Sequence, residues 1–241
     1  MPKDIDFELR RIVSDIRALG KPGGNPKLQS YIGSPYPVLG LTTPQMRQLH
    51  KGMRNRTPAL TVSEVNELAR RLWSCDSWEE KAFAIGILSR NANVLNESSW
   101  KMMDKMVDKA IGWALSDGLA SGPISAYVHS HPIKFNDLLK WTKAKHFWRR
   151  RASTYALSEF VSARELDKPF ILLKELLYDD EFWVQRAVGT WLRECWKKDQ
   201  KRTEAFLRKH VKGLPPVTIT VATERATKRF RKELRRNSKR S

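Results

Sequence analysis

The chain has 241 residues, with 45 Lys or Arg against 26 Asp or Glu, a formal charge of +19 at neutral pH. Its 41% hydrophobic content supplies the apolar surface for a packed core, which excludes wholesale disorder. No apolar run approaches the roughly 20 residues needed to cross a bilayer, so a spanning helix is excluded, and the mixed, charged start MPKDIDFELRRI shows no secretory signal.

Helical signals dominate from the start of the chain. Ile5, Leu9, Ile12, Ile16 and Leu19 fall at steps of three and four and predict one amphipathic helix over 3–19. Thr43-Pro44 predicts a second start, with Thr43 as cap and Pro44 at the first helical position. Thr61-x-x-Glu64 and Ser77-x-x-Glu80 read as capping boxes ahead of apolar periodic segments. Gly20 to Pro26, Pro35 and Pro37, Gly122-Pro123 and Leu214-Pro215-Pro216 mark loops. Val217–Val221 alternates like a strand, but a lone strand has nothing to pair with, so it is read as the entry to a last helix. The closing stretch holds nine Lys or Arg between Arg225 and Arg240. It predicts a flexible basic tail over 231–241 at the end of a single domain spanning 1–241.

An internal repeat organises the middle of the chain. Trp78, Trp113, Trp148 and Trp183 are spaced 35 residues apart. Leu68, Met103, Leu138 and Leu173 keep the same interval upstream, and Lys81, Ser116, Arg151 and Arg186 keep it downstream. One such period suits a pair of helices that cannot bury its apolar face alone, so neighbours stack. The Trp-Leu-Gly-Tyr pattern of tetratricopeptide units is missing. The fold class expected is therefore all-α, an α-solenoid of HEAT-like helical repeats. The charge of the chain predicts a polyanionic partner, and together they predict a concave basic groove.

The repeat breaks at one point. Where three units carry Ala82, Ala152 and Ala187, the second carries Asp117. A carboxylate buried there without a partner would cost several kcal/mol. The helix is therefore either turned so that Asp117 reaches water or a cap, or Asp117 lines a concave surface and faces a cationic ligand centre. Trp113 lies four residues earlier on the same helical face, and Arg151 occupies the homologous helix one repeat later.

These residues carry a resemblance. VLGLTTPQMRQL (38–49), Trp113-x-x-x-Asp117, FWRRRA (147–152), EFWVQRAVGTWLRE (181–194) and TERATKRF (223–230) occur in the order found in the HEAT-like-repeat DNA alkylation repair family, the AlkD-like alkylpurine DNA glycosylases. The resemblance implies a monofunctional hydrolase that cleaves the N-glycosidic bond of cationic N3- or N7-alkylated purines in duplex DNA, as base excision repair of alkylation damage. It implies Asp117 and Trp113 as the catalytic pair and Arg151 as the groove arginine. Arg149, Arg150, Lys143, Lys145, Arg186 and Arg193 are the further candidates for DNA contact. The sequence departs from the family at Thr190, where the family usually places a Trp that cradles the lesion sugar; Trp191 follows one residue, or about 100°, later. Either Trp191 substitutes through an altered register, or the cradle is open on one side. The alternatives to the enzyme are a DNA-binding repeat protein with altered or lost catalysis, and a protein-interaction scaffold.

No metal or cofactor is implied. His129 and His131 lack further ligands at metal spacing, and Cys75 and Cys195 read as thiols of a reducing compartment. The expected partner is alkylated double-stranded DNA and not a membrane, and the expected state is a cytoplasmic monomer, in the compartment of the DNA.

Overall fold

Short polar residues placed just ahead of apolar stripes set the helix starts. In the computed structural model, which describes residues 4–239, Asp4 accepts the Phe7 N–H and opens α1 (Ile5–Leu19), and Asn25 caps α2 (Pro26–Ile32). Positions 1–3 and 240–241, including the last two residues of the expected tail, lie outside the described residues. α3 (Thr43–Arg56) is capped by Thr42, whose side chain forms a capping box with Gln45. The cap is thus one residue earlier than the Thr-Pro dipeptide suggests, and Pro44 takes the second helical position, where its missing N–H is equally harmless. The boxes at Thr61/Glu64 and Ser77/Glu80 open α4 (Val62–Ser74) and α5 (Trp78–Arg90) as expected. α6 (Glu97–Val107), α7 (Trp113–Leu119) and α8 (Ser125–Ser130) follow.

Residues up to Tyr127 form one compact unit and residues from Val128 onward form a second. In the first unit α1 packs on α3 and α4, α4 on α5 and α6, and α5 on α7. The second unit contains α9 (Phe135–Trp141), α10 (Phe147–Tyr155), α11 (Ser158–Ser162), α12 (Asp167–Glu175), α13 (Phe182–Lys198), α14 (Gln200–Lys209), α15 (Pro216–Ala222) and α16 (Lys228–Ser238). The long α13 is its centre and touches α10, α12, α14 and α15. Val217–Val221 is helical within α15. Among the described residues there is no strand, and no helix is long and apolar enough to cross a membrane.

The 35-residue period is a helix pair: α4–α5, α6–α7, α9–α10 and α12–α13. Leu68, Met103, Leu138 and Leu173 sit on the first helix of each pair and are all 0% exposed. Each such burial stabilises by about 1.5–3 kcal/mol. The four tryptophans open the second helices. Ala152 and Ala187 are buried, as close helix approach requires, whereas Ala82 is only half-buried. The downstream basic position does unexpected work in two units. The buried Lys81 ammonium donates to the Trp73 and Cys75 carbonyls at the C-terminus of α4. The buried Arg151 guanidinium donates to the Trp183 carbonyl. The lysine satisfies carbonyls at the end of α4 that have no partner within that helix, whereas the arginine reaches a carbonyl in the first turn of α13.

The expected flexible tail is, through Ser238, the helix α16. Thr227 caps it, and Phe230 and Leu234, four residues apart, are buried beneath its cationic surface. Charge density masked that apolar pair, which is enough to hold a short helix against α15.

His50 on α3 lies flat against Phe83 of α5, with ring centroids 3.8 Å apart. Burial, aided by nearby Arg90, pushes its pKa down from 6.5 to about 4. The unfolded chain therefore takes up this proton first as pH falls. The stability from neutral His50 is complete above about pH 6.5 and is lost as pH falls through about 4, a loss of about 3 kcal/mol. We expect acidification to lower the urea midpoint of the wild type more than that of His50→Phe. Parallel pH profiles for the two proteins would contradict this assignment.

Candidate active site

The Trp113–Asp117 pair is placed by the contact of α7 with the end of α2. α2 stops at Gly33, which adopts a left-handed conformation (φ 64°), and α7 begins after Gly112 (φ 87°). These two glycines touch. A Cβ on Gly112 would stand 2.6 Å from the Ile32 carbonyl oxygen and 2.7 Å from that of Gly33. The approach lets the Trp113 indole N–H donate to the Tyr31 carbonyl at 2.9 Å. The Tyr31 ring meets the indole edge-on, centroids 5.4 Å apart at 85°. A backbone hydrogen bond and an edge-to-face contact therefore orient Trp113. Gly112→Ala combines a positive φ with a backbone clash and is expected to cost about 2–3 kcal/mol. Thermal unfolding should show this as a Tm fall of roughly 6 °C.

Asp117 lies one turn beyond Trp113, half-buried, on the same face of α7. Its neighbour Ser116 is 1% exposed. The Asp117 carbonyl accepts a hydrogen bond from the Ser121 hydroxyl at 2.7 Å. α7 ends two residues after Asp117. Gly122 leaves helical geometry (φ −90°, ψ −105°) and Pro123 has no N–H to continue the ladder, so the chain makes a wide turn before α8. Asp117 thus occupies a short, interrupted helix, where its three repeat counterparts stand on longer ones.

The other expected site residues belong to the second unit and fall into two groups. Arg151 is 5% exposed, its guanidinium bonded to the Trp183 carbonyl at 2.6 Å and the Tyr155 hydroxyl at 3.1 Å. Its charge lies 4.9 Å over the Tyr155 ring. Arg150 makes a bidentate pair with Asp179 at 2.6 and 3.1 Å and also donates to the Ala144 and Lys145 carbonyls. Arg193 pairs with Glu224 and Glu194. These three arginines are engaged inside the unit. Lys143, Lys145 and Arg186 are exposed, and Arg149 is half-buried with its guanidinium 5.0 Å over Trp141.

α13 runs unbroken through Thr190 and Trp191. Trp191 is 7% exposed and packs edge-on against Tyr155, centroids 5.6 Å apart. Thr190 is half-buried. Tyr31 and Tyr155, the residues that orient Trp113 and engage Arg151, escaped the sequence reading. Tyr31 is 82 residues from its partner, and no spacing pattern signals such a contact.

Known proteins agree with this architecture. A sequence model described as DNA alkylation repair enzyme matches residues 12–226. A predicted DNA alkylation repair enzyme from Enterococcus faecalis superposes with a TM-score of 0.75 at 17% identity, covering 87% of this chain and 97% of that one. AlkD2 from Streptococcus mutans gives 0.61 at 14% identity, with 83% and 97% covered. The smu.31 protein of Streptococcus mutans UA159 gives 0.55 at 14% identity, with 81% and 96% covered. No curated protein matches. At these identities the solved structures speak for the helical-repeat fold, while the family match spans most of the sequence: the chain belongs to the DNA alkylation repair enzyme family.

Proposed function

We propose that the protein is a DNA glycosylase that hydrolyses the N-glycosidic bond of cationic N3- or N7-alkylated purines in duplex DNA. The observation that carries this reading is a carboxylate, Asp117, at a position filled by alanine in the other three repeats, one turn from an oriented indole. An alkylated purine already bears positive charge. When the C1′–N bond breaks, the bonding electrons neutralise the base, which leaves without a proton donor. The deoxyribose is left with oxocarbenium-like charge. Asp117 opposes that charge and orients the water that attacks C1′, whose proton passes by way of the carboxylate to solvent. The Trp113 face adds cation–π attraction of about 0.5–2 kcal/mol. No residue needs to form a covalent intermediate, and no cofactor is invoked, because the substrate carries its own activation.

The +19 charge supports a polyanionic partner. Among the arginines and lysines named above, Lys143, Lys145, Arg149 and Arg186 fit phosphate contact best. Arg150, Arg151 and Arg193 fit the positioning of α10 and α13, since each already has acceptors within the protein. The reading places the protein with the DNA, inside the cell. Incubation with methylated and unmethylated duplex should release N3-methyladenine or N7-methylguanine only from the former. Salt-sensitive duplex binding with no release would favour the second reading, a DNA-binding protein with altered catalysis. Thr190, standing where the family usually carries a Trp, motivates it, and Trp191 beside it packs against Tyr155. Absence of both binding and release would overturn the two readings together.

A further inference from the structure

The first helices of two successive repeats, α4 and α6, leave a surface groove of about 460 Å³ between them. Neither helix carries a residue of the proposed reaction. The groove has an apolar floor of Trp73, Met102 and Met106, with Trp73 6% and Met106 4% exposed. The Trp73 Nε1–H is buried with no acceptor among the described residues. The indole therefore contributes its ring, not its N–H, to the floor. Lys101, Lys105 and Lys109 stand along one side at steps of four residues, all exposed. Like charges at that spacing repel one another. The acids of the same segment, Glu97, Asp104 and Asp108, do not line the groove, and no lining residue is a carboxylate.

We propose that this groove docks a short acidic segment of a partner protein. Its apolar side chains lie over Trp73, Met102 and Met106, and its carboxylates face the lysine row. Charge complementarity selects this occupant. A DNA backbone would use the lysines and leave the apolar floor uncovered, and a neutral apolar ligand would leave the lysines unanswered. An acidic peptide with apolar anchors uses both, the charges steering encounter and the buried contacts holding the complex. The inference does not rest on base release, since it concerns other helices.

Fluorescence anisotropy of the full chain with a fluorescein-labelled peptide alternating aspartate with leucine and phenylalanine tests the proposal. Saturable binding is expected at low salt. Lys101→Glu combined with Lys105→Glu should weaken it about tenfold or more. Met102→Glu, which puts a carboxylate on the apolar floor, should weaken it comparably. Circular dichroism checks that each variant stays folded, and the exposed lysine pair carries the test should Met102→Glu not fold. No peptide binding, equal binding by wild type and the lysine variant, or equal binding of polyaspartate would overturn the proposal. So would loss of duplex binding in place of peptide binding in the lysine variant, which would make DNA the occupant. Dimerisation abolished by the lysine substitutions would assign the groove to a second copy and overturn it as well.

Discussion

Asp117→Asn is expected to slow base release from methylated duplex by about a hundred- to a thousand-fold, with duplex affinity preserved. The substitution keeps the size of the side chain and removes its charge. Two unit charges about 4 Å apart at an effective dielectric of about 20 interact by about 4 kcal/mol, which sets the upper end of that range. The lower end allows water and Trp113 to supply part of the lost stabilisation. Binding should hold or tighten slightly, since removing an anion from a cationic protein favours a polyanion. Single-turnover release, measured by chromatography of free bases, separates chemistry from binding. Release within about tenfold of wild type would remove Asp117 from the mechanism. Trp113→Phe offers a graded comparison: an aromatic face remains, but the hydrogen bond to the Tyr31 carbonyl is lost. A smaller drop, about three- to thirtyfold, is expected because cation–π attraction is the weaker of the two effects.

What the sequence discloses and what it hides follow from how each residue is held. The repeat is legible because one face of each first helix must be buried, and Leu68, Met103, Leu138 and Leu173 record that need at fixed spacing. The Asp117 anomaly is legible for the same reason, as a polar residue out of register with its counterparts. The run Arg149-Arg150-Arg151 is not. Three consecutive helical residues point about 100° apart, and only the folded chain reveals that Asp179 takes the second and the Trp183 carbonyl the third. From sequence all three read as candidates for DNA contact. The same limit applies to Tyr31 and to the Glu79–Glu80 pair. At a helix N-terminus two acids read as partners of the helix dipole. Glu80 is indeed the capping-box residue and also pairs with Arg17, but Glu79 makes contacts across the unit that no local pattern encodes.

Glu79→Ala is expected to destabilise the first unit by about 4 kcal/mol. Glu79 is 0% exposed. Its carboxylate accepts the successive backbone N–H groups of Leu39, Gly40 and Leu41 at 2.9, 2.7 and 3.2 Å. Three consecutive donors converge on one anion because Gly40 adopts φ 85°, which turns the segment into a concave nest. Deleting the carboxylate strands those donors away from water, at about 1–3 kcal/mol for each left unsatisfied. Glu79→Gln recovers little, since half of its amide presents hydrogens to N–H groups. In thermal unfolding the alanine variant should melt roughly 10 °C lower. Glu67→Ala, which removes an exposed pair with Arg70, should cost less than about 1 kcal/mol. A Tm shift for Glu79→Ala no larger than that of the control would mean that water replaces the carboxylate. The expected contrast assigns the Leu39-Gly40-x-x-x-Pro44 segment a folding role: Glu79 fixes the turn from which Thr42 caps α3, so the motif that most invites comparison with repair enzymes is held by a buried anion rather than by the chemistry at Asp117.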